Sequence, residues 1–248
     1  MMTTTSSSTN SFPSACKVQI SAAFLVAFVA MRHILHELHE FGHMTAARLL
    51  CGGWGTRDFN NVASIPSGCN VTTGIDLAVA LAGPMVNYVG VWVGVLLIRS
   101  GRTTSKTTWG LALIFACLPF ARLFTAMIGG GDEMGVARAY FANPALARAV
   151  CIAVVAAVLA YPLWTAWQAL VGARRRFWLF IGFLILPMLL EGAVILLFFN
   201  YVLKQHVLNQ TWAFGAPGLI IVVLLAAIAV FAAFARHIST LLLPAQGR

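Results

Sequence analysis

Charge is what this sequence has least of. Of its 248 residues only 9% are Asp, Glu, Lys or Arg, where a water-soluble domain carries roughly a quarter. Only seven are acidic. So few charged groups cannot cover a soluble core, and the apolar runs leave no room for one. Paired cysteines are also lacking. Cys16, Cys51, Cys69, Cys117 and Cys151 are odd in number and none forms a CxxC pair, which argues against a disulfide framework and a cysteine-held zinc. One bridge, Cys51 to Cys69, stays open if the segment between them faces an oxidising compartment. No sequence repeat suggests the paired halves of a transporter. The first fifteen residues, MMTTTSSSTNSFPSA, lack the basic start of a secretory leader and read as a disordered Ser/Thr-rich tail.

Apolar side chains, by contrast, make up 60% of the chain, and the mean hydropathy is +0.87. The expectation is a multi-pass integral membrane protein of a cell inner or plasma membrane, an all-α helical bundle of about six transmembrane helices. A first span starts near Val18 and continues through a histidine-rich stretch to Leu50. Gly52-Gly53 stop it. A polar linker over 52–74 then forms either a short strand pair or a re-entrant loop. Further spans are expected at about 75–98, 107–128, 145–171, 177–203 and 214–234. The domain division that follows is a tail over 1–17, a core over 18–135, additional membrane helices over 136–238 and a tail over 239–248.

The net charge of +9 sits mostly in short loops and helix ends, where membrane topology explains it and nucleic-acid binding is not expected. With six spans, nine cations fall on the side of the termini and five on the other, which favours both termini inside.

Four of the six histidines fall in one stretch, His33 to His43, reading HILHELHEFGH. At about 100° per residue His39, Glu40 and His43 share one helical face, so two imidazoles can hold a metal with a carboxylate beside its water. A catalytic zinc takes three protein ligands and keeps one position open. Glu40 would be the general base. Asp132 is the expected third ligand, because it follows the flexible Gly129-Gly130-Gly131 break and falls at the same membrane depth as the histidines. Glu133 and Glu191 are the alternatives. His33 and His36 lie on nearly the same face, one and two turns back, as pore-lining groups or supports, with His36 in reach of Glu40. Asn87 reads as either helix-to-helix glue or a substrate contact. Arg122 reads as a pairing or snorkelling cation.

Taken together, the HEFGH helix, the AGPMVNY segment and an Asp after a later break resemble the site-2 protease family of intramembrane zinc metalloproteases. The resemblance covers roughly His36 to Gly135. It implies a three-helix core holding one zinc ion per chain through His39, His43 and Asp132, with Glu40 catalytic and Gly83, Pro84 and Asn87 shaping a cleft. It further implies that the substrate is a transmembrane segment of another protein. Two features depart from the family pattern. Gly-Gly-Asp-Glu replaces Leu-Asp-Gly, and the loop charges put the site on the outer side, where the family's generally faces the cytoplasm. The competing expectations are a non-proteolytic metal-binding transporter or oxidase, and an inactive protease-like scaffold.

Overall fold

The computed structural model describes residues 16–60, 62–63, 65–66, 68–100 and 103–244. The segment expected to be disordered lies almost wholly outside the described residues. The chain folds as all-α. Its long helices follow the apolar runs, because a backbone without water must bond to itself.

Helix α1 (Ala22–Cys51) starts where the Ser21 hydroxyl accepts the Phe24 N–H and stops at Gly52, whose φ of +73° a side chain would disfavour. At 30 residues it is about 45 Å long. Helix α2 (Thr73–Ser100) returns alongside it, with Pro84 inside. Helices α3 (Thr104–Ala116) and α4 (Pro119–Ile128) form one run broken at Leu118, whose φ is +49°, before Pro119. After the glycines, α5 (Asp132–Tyr140) is short. Asn143 and Pro144 start α6 (Pro144–Ala169) in the preferred order of cap and first-turn proline. Helix α7 (Arg176–Glu191) widens into a π-helix at Gly192–Phe199 and closes as α8 (Asn200–Lys204). Helix α9 (Gly218–Phe234) continues as a 3₁₀ turn at Ala235–Thr240.

Five helical runs, 73–100, 104–140, 144–169, 176–204 and 218–240, are long and apolar enough to cross a membrane. Helix α1 has the length but not the composition. Arg32, Glu37, Glu40 and Arg48 interrupt its apolar character.

Three two-stranded pairs tie the ends. β1 (Cys16–Val18) pairs with β6 (Leu242–Pro244), fastening the two ends of the described chain at one end of the bundle. β2 (Thr56–Arg57) and β3 (Val62–Ala63) form a hairpin inside the linker, and β4 (Thr211–Ala213) and β5 (Ala216–Pro217) precede α9. The linker also packs against the helices. Its Phe59 is fully buried, packed with Ile195, Ala216 and Ile220 and stacked on Phe199 at 5.2 Å. Of the two expectations for this segment, the structure shows the strand pair. A disulfide between Cys51 and Cys69 closes it across the mouths of α1 and α2.

One apolar cluster joins α1, α3 and the 3₁₀ turn near the termini, and a second joins α2, α5 and α6.

Candidate metal site

α1 and α2 approach so closely that two glycines are required. A Cβ on Gly42 would sit 2.9 Å from the Ala82 carbonyl oxygen, and one on Gly83 would sit 2.2 Å from His43 Nε2. This contact lays the Gly83-Pro84 turn directly over His43. Pro84 has no N–H for the Ala80 carbonyl. In the same turn, the Val79 carbonyl accepts a hydrogen bond from His43 Nδ1 at 2.7 Å. A carbonyl can only accept, so His43 carries its proton on Nδ1 and presents a lone pair at Nε2.

His39 stands one turn back. Its Nε2 lies 3.2 Å from His43 Nε2, and its Nδ1 lies 3.2 Å from the Asn87 amide on α2. The Asn87 Nδ2 amide donates to His39 Nδ1 and so fixes the orientation of the ring. The Oδ1 of Asn87 has no hydrogen-bond partner among the described residues.

Asp132, at the start of α5, brings Oδ2 to 3.5 Å from His39 Nε2 and 3.8 Å from His43 Nε2. Ligands about 2.0–2.1 Å from a tetrahedral zinc lie about 3.3 Å from one another. The three donors thus match a cation site in type and spacing, and among the described residues they are a group able to hold a metal ion. Arg122 on α4 fixes the aspartate. Its Nη2 donates to Asp132 Oδ2 at 2.8 Å and to Glu133 Oε2 at 2.6 Å, and its Nε donates to Glu133 Oε1 at 2.9 Å. Tyr88 on α2 donates to the same Glu133 oxygen at 2.6 Å.

Glu40 is buried but no side-chain hydrogen bond holds it among the described residues. It lines a cavity of about 800 Å³ that also touches His39, His43, Asn87 and Asp132. The outer wall includes Asn60, Ile65 and Asp76 from the linker and the start of α2, and the apolar walls come from α4 and α7. The site does not lie at a helix end. His43 is eight residues from the end of α1, so the donors are sunk about 12 Å along the helix. Asn87, likewise, is well inside α2 and not at a helix start.

Several expected residues sit elsewhere. Glu133 faces Arg122 and Tyr88, a step removed from the histidines. Glu191 is on the far side of the cavity, where its Oε1 accepts from Arg32 Nη2 and His36 Nδ1, both at 3.0 Å. His36 therefore bonds Glu191 and, through Nε2 at 2.7 Å, the Phe59 carbonyl, and makes no hydrogen bond to Glu40. His36 thus bridges the linker backbone and the Glu191 carboxyl group. His33 stacks on His36 and faces Phe199. Arg57 and Glu37 form a further buried pair that fastens the hairpin to α1.

Gly42, Val79, Tyr88 and the aspartate-holding role of Arg122 were not legible in the sequence. The available signals were a glycine inside the histidine motif, and a proline four to five residues after Val79 that opens the turn. Compared with protein-family models, with curated proteins and with solved structures, the chain matches none.

Proposed function

We propose that the protein is a multi-pass membrane metalloprotease in which α1 is a sixth crossing, and that it hydrolyses peptide bonds in or near transmembrane segments of other proteins. The reading also takes up the resemblance of its motifs to the site-2 protease family. The single observation that carries it is the convergence of His39, His43 and Asp132 with Glu40 in one buried cavity of an apolar bundle. Ionisable groups at such depth are costly and mark function. An oxidase with two metals would need a second set of ligands, and the described residues offer one group of three.

A zinc ion held by His39, His43 and Asp132 would supply Lewis-acid activation of water and of the scissile carbonyl. The remaining chemistry belongs to side chains. Glu40, held by no side-chain hydrogen bond among the described residues, takes the proton of the attacking water on its carboxylate and passes it to the leaving amine. Val79 accepts the His43 Nδ1–H and keeps its Nε2 open, and Asn87 fixes the orientation of the His39 ring. Arg122 holds Asp132 in place. The cavity admits water where lipid is excluded, and its apolar walls accept a segment unwound from its helix, as hydrolysis of a helical amide requires.

The test is Glu40→Gln. It preserves shape and the three donors, so bound metal should stay at wild-type level while cleavage of a membrane substrate falls by about 10²-fold or more. Unchanged cleavage by this variant would sink the protease reading.

A further inference from the structure

Two independent features orient the site. The first is the distribution of charge. Around the end of the bundle where β1 meets β6, Lys17, Arg99, Lys106, Arg174, Arg175 and Arg236 are exposed, while Arg176 stacks on Trp167 at 3.8 Å. No acidic residue belongs to that end. All seven acidic residues lie in the stretches 37–76, 132–133 and 191, and Glu40, Asp76, Asp132 and Glu191 line the cavity. Phe177 and Trp178, 56% and 69% exposed, stand beside the three arginines as an interfacial aromatic pair does. A surface with cations, interfacial rings and no anion matches the anionic headgroups of a cytoplasmic leaflet.

The second feature is covalent. The bond between Cys51 and Cys69 lies at the opposite end, joining the last residue of α1 to the linker whose Asn60 and Ile65 line the cavity. Disulfides form and persist in oxidising compartments and are rare where thiols are kept reduced. Charge and redox chemistry have no common cause here, yet both give the same direction.

We propose that the cavity opens on the oxidising, non-cytoplasmic side of the membrane, with the basic end seated in the anionic cytoplasmic leaflet. On the protease reading, on which this clause rests, the substrate bond lies in the outer part of a membrane segment. From His43 to the end of α1 is about 12 Å, and from the start of α1 to His39 about 26 Å. The same geometry sets the class of substrate as a membrane protein whose helix can unwind near its outer end.

The experiment uses the full chain in sealed cells and a membrane-impermeant maleimide, in a Cys16→Ser background. Ala142→Cys, in the exposed turn between α5 and α6, should label in intact cells. Arg174→Cys should label only after permeabilisation. Cys51 and Cys69 should resist alkylation in native membranes until a reductant is added. Labelling of Arg174→Cys from outside, protection of Ala142→Cys in intact but not permeabilised cells, or free thiols at 51 and 69 overturns the orientation. None of these readouts uses catalysis. Repeated on Glu40→Gln, they give the same pattern even if the protease reading fails, so the two failures are separable.

Discussion

Replacing Gly83 with alanine is a small change with a large expected effect. In an ordinary helix interior the substitution stabilises by about 0.8–1 kcal/mol. Here the added Cβ would stand 2.2 Å from His43 Nε2, 2.6 Å from Cδ2 and 2.7 Å from Cε1. A normal contact begins near 3.4 Å, so the imidazole must retreat by about 1.2 Å or the two helices must part by as much. The ring cannot simply slide, because Nδ1 is held by Val79 at 2.7 Å. A metal site tolerates about ±0.2 Å in ligand distance, several times less than the required shift. Gly83→Ala should therefore lower zinc affinity by about 100-fold or more, beyond the 10–100-fold typical of losing a group that merely supports a ligand. The assay is competition against a chelating indicator on protein purified in detergent, with circular dichroism to show intact helices. Wild-type zinc affinity in a folded Gly83→Ala protein would refute the placement of α2 against His43.

Three further outcomes are expected. Asp132→Asn should reduce bound zinc sharply in metal analysis, while Glu191→Gln should leave it unchanged; the reverse pattern would move the third ligand to α7. Arg122→Ala frees Asp132 and leaves Glu133 to Tyr88 alone, and should weaken zinc binding by about 10–100-fold in the same competition assay. Cys51→Ser opens a loop closed over a separation of 18 residues and should cost about 3 kcal/mol, read as a lower midpoint in detergent-based thermal unfolding. An unchanged midpoint would mean that the hairpin is held by Phe59 and the Arg57–Glu37 pair alone.

The helical architecture was legible because apolar runs of membrane length admit few alternatives, and the five apolar runs begin and end within a few residues of expectation. The exceptions are 107–128, whose run continues past the glycines through α5 to Tyr140, and 214–234, where β4 and β5 delay the helix to Gly218 and the 3₁₀ turn extends it to Thr240. His39, Glu40 and His43 were legible from helical spacing alone. Asp132 was legible from depth and from the glycines before it. What spacing could not give was the partner set of each polar group. Glu191 meets His36 across 155 positions of sequence and Phe59 meets Asn200 across 141, and no local pattern encodes such pairings. The close crossing of α1 and α2 was hidden for the same reason. Gly42 and Gly83 have meaning only once each is known to face the other helix.

The clasp around Phe59 bears on the order in which the protein is completed. The peptide N–H of Phe59 is held by Asn200 Oδ1 at 3.1 Å, and its carbonyl by His36. The first hairpin to leave the ribosome thus waits for a residue made 141 positions later before it can settle. Until α7 and α8 arrive, the cavity has no far wall and Arg32 and His36 lack the carboxylate of Glu191. The three-helix segment that carries the metal donors is therefore not a self-sufficient unit. A nascent chain carries His39, His43 and Asp132 early and completes the cavity around them late, only with the C-terminal half.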